Sequence, residues 1–158
     1  MQKVTPFLWF NNQAEEAANL YVSLFENSKI NSVTRYPENS PGGEAGTVMT
    51  VAFELDGQYF TAINGGPLFP FNESISFVVN CEDQAEVDKL WAGLTNGGEE
   101  VQCGWLKDRF GVSWQIVPKI LAELMSSPDQ QKTDRVYQAM LKMVKLDVEG
   151  LKKAFDGD

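Results

Sequence analysis

The alternation of apolar and polar residues along the chain predicts two similar halves. In each half an apolar run of strand length precedes the tripeptide Gln-Ala-Glu, at residues 13–15 and 84–86, and an amphipathic helical stretch. The helix positions correspond at a constant offset of 70 residues, whereas the tripeptide is offset by 71. The matching residues are Leu20, Tyr21 and Leu24 in the first half and Leu90, Trp91 and Leu94 in the second. Such a repeat indicates a duplicated module, and we expect any cleft to lie where the halves meet.

Within the first half, the pattern predicts one strand, one helix and three further strands. The predicted strands are residues 4–10, 30–36, 47–55 and 58–63. Asn12 with Glu15 fits the N-cap and capping box of the helix. Asp56-Gly57 is a strong hairpin signal between the last two strands. Residues 37–46, rich in Pro, Gly, Ser and Glu, predict an exposed loop.

The second half repeats this order. It predicts a strand at 75–80, a helix at about 84–94 that Asp83 caps with Glu86, and a left-handed turn at Asn96-Gly97-Gly98. A weak strand near Val101 and a hairpin follow, with hairpin strands at 105–108 and 112–117. The remaining residues carry apolar stripes at helical spacing. This helical tail must pack on the body or on a partner subunit, and the sequence leaves both arrangements open.

These elements predict an α+β fold of two βαβββ modules that form a curved mixed sheet, followed by C-terminal helices. We expect one domain over residues 1–118, with modules at about 3–64 and 73–118, and a helical extension over residues 119–158.

Composition excludes several classes of function. The net charge of −9 disfavours nucleic acid as a partner, because an acidic surface repels phosphate backbones. No apolar run approaches the ~20 residues of a membrane helix. The N-terminal residues lack the pattern of a secretion signal, so we expect a cytoplasmic protein. Histidine is absent, which removes the commonest general base and metal ligand. Cys81 and Cys103 form no Cys-x-x-Cys motif and are expected to be free thiols.

Three segments resemble a known family. They are Thr5-Pro6-Phe7-Leu8-Trp9-Phe10 with Ala14-Glu15-Glu16-Ala17, Gly65-Gly66-Pro67 before Ser74 to Cys81, and Cys103-Gly104-Trp105-Leu106-Lys107-Asp108-Arg109-Phe110-Gly111-Val112-Ser113-Trp114-Gln115-Ile116-Val117-Pro118. Together they resemble the PhnB-like family, whose members often carry the name of a demethylubiquinone methyltransferase-like domain. That family lies in the glyoxalase/bleomycin-resistance/dioxygenase superfamily, also called vicinal oxygen chelate proteins. The resemblance covers about residues 3–150.

The resemblance also implies where a metal would be held in related enzymes. Their ligands are His, Glu or Gln on the first and last strands of each module, and they correspond here to Pro6, Ala62, Ser74 and Gln115. Pro6 and Ala62 offer no side-chain ligand, and Ser74 is a poor one. We therefore predict no metal and no cofactor. Gly65-Gly66 and Gly97-Gly98 fit turns better than a cofactor loop, which argues against the methyltransferase that the family name suggests.

A candidate ligand site follows from the alternation of strand residues between two sheet faces. The predicted ligand-binding residues are Leu8, Phe10, Ser74, Ser76, Cys103, Trp105, Ser113 and Gln115. This mixture of apolar, amide and hydroxyl groups favours a pocket for a small aromatic or apolar molecule. Three alternatives stay open: the polar groups bond to one another across a filled sheet, the protein is an enzyme of the superfamily, or the tail helices close the cleft.

Two further expectations concern charged residues and assembly. Asp108 with Arg109 fits turn chemistry and a surface pair, and Glu15 and Glu16 suit the dipole at a helix N-terminus. Members of the resembled superfamily commonly pair, and an apolar tail needs a partner surface, so we expect a homodimer.

Overall fold

Across residues 2–158, the computed structural model of the chain has eight strands and five helices. They fall into two units that divide between Phe71 and Asn72. The first unit contains β1 (Phe7–Phe10), α1 (Ala14–Leu24), β2 (Lys29–Arg35), β3 (Val48–Leu55) and β4 (Gln58–Asn64). The second contains β5 (Ser76–Cys81), α2 (Gln84–Thr95), β6 (Glu99–Glu100), β7 (Trp105–Lys107), β8 (Ser113–Pro118), α3 (Ile120–Met125), α4 (Gln130–Leu141) and α5 (Val148–Asp156).

The sheet of the first unit has the strand order β1-β4-β3-β2, with β1 parallel to β4 and the other pairs antiparallel. Asp56 and Gly57 join β3 to β4 with φ angles of +47° and +80°. Two left-handed residues form the type of turn that matches the twist of a hairpin, which confirms the predicted turn. The first strand begins at Phe7, three residues later than the apolar run suggested.

Helix α1 covers one face of this sheet through small side chains. Ala14, Ala17 and Ala18 are fully buried, and the ring of Tyr21 lies 6.2 Å from that of Phe53 on β3. Alanines bring the helix backbone close to the sheet, so the larger aromatic rings of the strands fill the core.

The predicted cap of α1 by Asn12 is wrong. The N-cap residue is Gln13, and its side chain makes no capping hydrogen bond. The backbone N–H of Ala14 instead donates to Oδ1 of Asn64 at the end of β4, over 2.8 Å. Nδ2 of the same side chain donates to the carbonyl of Val48 over 3.1 Å. The cap therefore comes from a residue 50 positions further along the chain, which local capping patterns cannot reveal.

In the second unit, the sheet has the order β5-β8-β7-β6, again with a parallel first pair. Val87, Leu90, Trp91 and Leu94 form the buried stripe of α2. The cap of α2 is confirmed, because the side chain of Asp83 accepts from the backbone N–H of Glu86 over 2.9 Å. Gly97, with φ +78°, supplies the predicted left-handed turn after the helix.

The helical extension belongs to the second unit. Its helices α3, α4 and α5 pack mainly on one another, with Val136 and Leu151 fully buried. Arg135 on α4 ends α5 by donating to the carbonyls of Ala154 and Phe155, each over 2.8 Å.

The predicted α+β fold of two βαβββ modules with C-terminal helices is confirmed. The strands are hydrogen-bonded as two four-stranded mixed sheets, one in each module, where the sequence suggested a single curved sheet. The sequence pattern could not specify this, because period-two alternation describes each strand and does not reveal which strands pair.

Candidate functional site

Several predicted site residues share the face of the second sheet that points away from α2, which we call the distal face. Leu106, Trp114 and Ile116 are buried on the opposite face. Because side chains alternate, the neighbours of these residues point to the distal face. The distal residues are Ser76, Val78 and Asn80 on β5, Trp105 and Lys107 on β7, and Ser113, Gln115 and Val117 on β8.

Gln115 lies at the centre of this face. Its Nε2 donates to Oγ of Ser76 over 2.9 Å, and its Cα is paired with that of Trp105 on the neighbouring strand. Both Gln115 and Trp105 are half-buried. An amide, a hydroxyl and an indole ring are thus brought together, which provides hydrogen bonding beside an aromatic surface.

Ser113 is the unusual member of the distal face. It is only 1% exposed, and its register partners are Ser76 on β5 and Lys107 on β7. Within residues 2–158, its Oγ is buried and has no hydrogen-bond partner. A buried hydroxyl without a partner costs about 1–3 kcal/mol, so this atom is a natural point of attachment for a bound molecule or water.

A charged pair flanks the site. Nζ of Lys107 contacts the carboxylate of Glu73. This hydrogen bond raises the pKa of Lys107 above its usual value and lowers the pKa of Glu73. Both shifts favour the charged forms, so neither group changes its protonation state near neutral pH.

The two cysteines have different environments. Cys103 is half-buried in the turn before β7, two residues from Trp105, and has an unusual φ of +60°. Cys81 is fully buried. Burial raises the pKa of the Cys81 thiol to about 12, with smaller contributions from the charges of Glu86 and Asp83.

Ser74 lies outside β5, in the preceding loop. It is exposed, and its Oγ is hydrogen-bonded to Oδ1 of Asn72 over 2.6 Å. The structure therefore assigns Ser74 to a local turn and Ser76 to the contact with Gln115.

The placement of Leu8 and Phe10 on the sheet face away from the helix is wrong. They are 9% and 2% exposed. Their register partners on β4 are Ala62 and Asn64, of which Ala62 is fully buried and Asn64 caps α1. Leu8 and Phe10 therefore belong to the core beneath α1.

The correspondence between the two halves agrees with the assignment of Leu8 and Phe10 to the core. An offset of 70 aligns Leu8 with Val78, which is 51% exposed. Burial supports an offset of 71 for the strands, because it aligns Phe10 at 2% with Cys81 at 0% and the exposed Phe7 at 59% with Val78. A one-residue slip in a strand exchanges its two faces.

Asp108 has a role that the sequence did not indicate. It is 3% exposed, and its Oδ1 accepts from the backbone N–H groups of Phe110 and Val112. Its Oδ2 accepts from Nε1 of Trp114 over 2.9 Å. Arg109 points instead to the carbonyl of Asn96. The predicted turn chemistry is correct and the predicted surface pair is wrong. An Asp two residues before a backbone N–H was a signal for the turn, but nothing local revealed the bond to Trp114.

The metal site of the resembled enzymes does not fit the residues that this chain has at the corresponding positions. Ala62 is buried beneath α1, Ser74 bonds to Asn72, and Gln115 bonds to Ser76. Residues 2–158 contain no group of three His, Cys, Asp or Glu side chains that could hold a metal ion. One amide is too few donors for a divalent ion.

A methyl-donor site is not supported either. A Cβ added to Gly65 would lie 2.3 Å from the ring of Trp9, and one added to Gly98 would lie 2.2 Å from the carbonyl oxygen of Lys107. Both glycines are required by close packing against neighbouring strands, so neither turn is an open loop around a cofactor.

Within the part of the chain that the structure describes, none of the helices combines the length and hydrophobicity needed to span a membrane.

Comparisons with known proteins agree with the fold. The profile of the 3-demethylubiquinone-9 3-methyltransferase family matches residues 2–117. A PhnB protein from Bacillus cereus is 40% identical, with a TM-score of 0.68 over 74% of this chain and 99% of its own. A Pseudomonas aeruginosa protein, PA1353, is 21% identical, with a TM-score of 0.62 over 75% of this chain and 98% of its own.

The fold is also similar to that of a more distant protein. The fosfomycin resistance protein FosX from Listeria monocytogenes is 14% identical, with a TM-score of 0.52 over 80% of this chain and 98% of its own. None of the curated proteins compared with the chain matches it. On the family match and the Bacillus relative, the chain belongs to the PhnB-like 3-demethylubiquinone-9 3-methyltransferase family.

Proposed function

We propose that the protein binds a small aromatic or apolar molecule on the distal face, without a metal ion. The molecule would lie against Trp105 and bond to the polar groups around Gln115. The observation that carries this proposal is the buried Oγ of Ser113, which lacks a hydrogen-bond partner within residues 2–158. A ligand with one polar group on an apolar body would satisfy this hydroxyl and cover the indole ring.

Two neighbouring features support a ligand of this kind. Ser76 accepts from Gln115, which orients the amide and so predefines the polar end of the site. Val78, also on the distal face, is 51% exposed, which offers apolar surface next to the polar groups. Cys103 is half-buried two residues before Trp105 in the chain. A few polar groups in an apolar setting are typical of small-molecule sites.

Binding is favoured over acid–base catalysis by the state of the charged residues. Lys107 and Glu73 form an ion pair on this side of the sheet, and their mutual hydrogen bond shifts the pKa of each away from neutrality. A general acid or base works best with a pKa near the operating pH. The distal face thus has groups that hold and orient a molecule, and its charged pair is poorly suited to transferring protons.

The proposal is tested by a thermal-shift screen of neutral aromatic compounds, including quinones and phenols. A ligand at 100 times its Kd should stabilise the native protein by about 2.7 kcal/mol, which corresponds to several degrees in Tm for a domain of this size. Trp105→Ala and Ser113→Ala should reduce the shift strongly, since they remove the aromatic wall and the unpartnered hydroxyl.

Tyr137→Ala is the matched control. Tyr137 is 46% exposed on α4, so its removal changes an aromatic side chain outside the site. The proposal is wrong if Trp105→Ala and Tyr137→Ala respond to the ligands equally, or if no aromatic compound raises the Tm.

We also propose that the protein is a cytoplasmic homodimer. In support, the first unit has large apolar side chains at the surface: Phe7 is 59% exposed, Phe69 58% and Leu68 72%. Such side chains favour contact with a second copy. Light scattering should give twice the 17.6 kDa of one chain, and Leu68→Ser should weaken the dimer. A monomer at micromolar concentration would contradict the assembly, and fractionation of cells tests the location.

A further inference from the structure

The helical extension lies beyond the family match, which ends at residue 117. It is joined to the second module by the chain itself and by residues 142–147, which connect α4 to α5 and which we call the return segment. The three helices pack mainly on one another, and the return segment adds specific bonds that hold the extension against the module.

At one end, the return segment bonds to the turn before β7. The backbone N–H of Cys103 donates to the carbonyl of Met143 over 2.9 Å, and that of Gly104 donates to Val144 over 2.8 Å. Both turn residues are left-handed, with φ of +60° and +83°. A left-handed conformation is unfavourable for a cysteine, so it persists here because the surrounding bonds determine it.

At the other end, the return segment bonds to the start of α2. Nε2 of Gln84 donates to the carbonyl of Leu146 over 3.1 Å, and its Oε1 accepts from the backbone N–H of Val148 over 2.7 Å. Nζ of Lys145 contacts Oδ1 of Asp88 over 2.7 Å. One glutamine side chain thus binds the backbone on both sides of Asp147.

Leu146 connects the two ends. It is fully buried, and a Cβ added to Gly104 would lie 3.0 Å from its Cγ. The carbonyl of Gly104 in turn accepts from the backbone N–H of Ile116 on β8 over 2.8 Å. Trp105 follows Gly104 directly, so the return segment is mechanically linked to the strand that carries the aromatic side chain of the distal face.

We propose that the return segment is a clasp through which the helical extension sets the conformation of the Cys103-Gly104 turn and the position of Trp105. Gln84 is the positioning residue that closes the clasp. When the clasp opens, the left-handed turn loses the two carbonyls that hold its N–H groups, and Trp105 loses the support of that turn at the start of β7. This coupling within the second module does not require a ligand, so it can be tested separately from the proposed binding function.

The test compares two glutamine variants of the full chain. Gln84→Ala removes the side-chain bonds to Leu146 in the return segment and to Val148 at the start of α5. Gln130→Ala is the matched control. Gln84 donates to an aspartate four residues later, Asp88, over 3.0 Å, and Gln130 donates in the same way to Asp134 over 2.7 Å but lies on α4 away from the clasp. Amide hydrogen exchange at Cys103 and Gly104 reports opening, and 5-fluorotryptophan NMR, assigned with Trp105→Phe, reports the environment of Trp105.

In Gln84→Ala we expect exchange at Cys103 and Gly104 to be about tenfold faster, the factor expected from losing one to two hydrogen bonds. The fluorine resonance of Trp105 should move while that of Trp9 stays fixed. Gln130→Ala should change neither readout. The proposal is overturned if Gln84→Ala leaves both amides protected. It is equally overturned if exchange accelerates throughout β5 and β8 to the same extent, since Gln84 would then contribute only to general stability.

Discussion

Replacing Asp108 should destabilise the second module far more than its position in a polar turn suggests. The carboxylate accepts from the backbone N–H groups of Phe110 and Val112 over 2.9 and 3.0 Å and from Nε1 of Trp114 over 2.9 Å. In Asp108→Ala these donors lose that acceptor. Each buried donor without a partner costs about 1–3 kcal/mol, and two of the three are in buried bonds, so we expect a loss of about 4 kcal/mol.

Asp108→Asn separates the backbone bonds from the indole bond. An asparagine oxygen can still accept from Phe110 and Val112, but its NH₂ group then faces the N–H of Trp114, and two donors cannot bond to each other. We expect a loss of about 2 kcal/mol. In a Trp114→Phe background the conflict is absent, so the cost of Asp108→Asn should fall by about 1 kcal/mol, which a double-mutant cycle measures.

Urea denaturation followed by far-ultraviolet circular dichroism gives the free energies, provided that the m value is unchanged. Asp156→Ala is the control, because Asp156 is exposed near the end of α5 and its loss should change stability by less than about 0.5 kcal/mol. If Asp108→Ala costs no more than Asp156→Ala, or if the cycle gives no coupling with Trp114, the buried carboxylate does not organise the hairpin.

Three further predictions concern caps, thiols and metals. Asn64→Ala should lower the free energy of unfolding by about 1–2 kcal/mol, whereas Asn12→Ala should lower it by less than about 0.5 kcal/mol. Equal losses in urea titrations would contradict the assignment of Asn64 as the cap of α1. A disulfide reagent at pH 8 should label Cys103 in the native protein and Cys81 only after unfolding, because Cys81 is buried with a pKa of about 12. Rapid labelling of the native Cys103→Ala variant would refute the protection of Cys81. Elemental analysis should find no stoichiometric transition metal, and zinc, nickel, manganese or iron should not raise the Tm. About one metal per chain, lost in Gln115→Ala, would contradict this prediction.

The thiol prediction has a consequence for stability at high pH. The native state keeps the proton of Cys81 up to a pKa of about 12, whereas an unperturbed thiol loses it near 9.0. Between these values the unfolded chain binds fewer protons than the native one, so stability falls as the pH rises through this range. Cys81→Ala should remove this part of the pH dependence.

Features determined within a few residues could be predicted from the sequence. Asp56-Gly57 specifies its hairpin because only particular residues readily adopt two left-handed conformations in succession. Asp83 and Glu86 specify the start of α2 because the capping bond spans three residues. In both cases the interacting groups are neighbours in the chain, so a local pattern contains all the information.

Features that depend on distant residues could not be predicted. The bond from Trp114 to Asp108 requires the hairpin to be folded, and the cap of α1 by Asn64 requires β1, β3 and β4 to be assembled. The alternation of side chains along a strand places Leu8 and Phe10 on the same face but does not say which face that is. Nothing local fixes that face, and a one-residue slip in a strand exchanges its two faces.

The two modules share a scaffold but differ in their chemistry. Three residues separate β1 from α1, whereas two separate β5 from α2, which accounts for the change of offset from 71 in the strands to 70 in the helices. The longer loop makes no side-chain cap, and Asn64 supplies one from the end of β4. In the second module Pro118 occupies the position of Asn64, and Asp83 caps the helix locally.

The same alignment shows which residues of the first module correspond to those on the distal face of the second. Leu8 pairs with Ala62, and Val79 pairs with Ile116, so Thr61 occupies the position of Gln115. Through the next strand, Ala52 then occupies the position of Trp105. The indole and amide of the candidate site therefore have no counterpart in the first module. Since binding energy concentrates in aromatic and hydrogen-bonding groups that act together, the second module is where substitutions should change ligand binding, and Thr61→Ala should leave it intact.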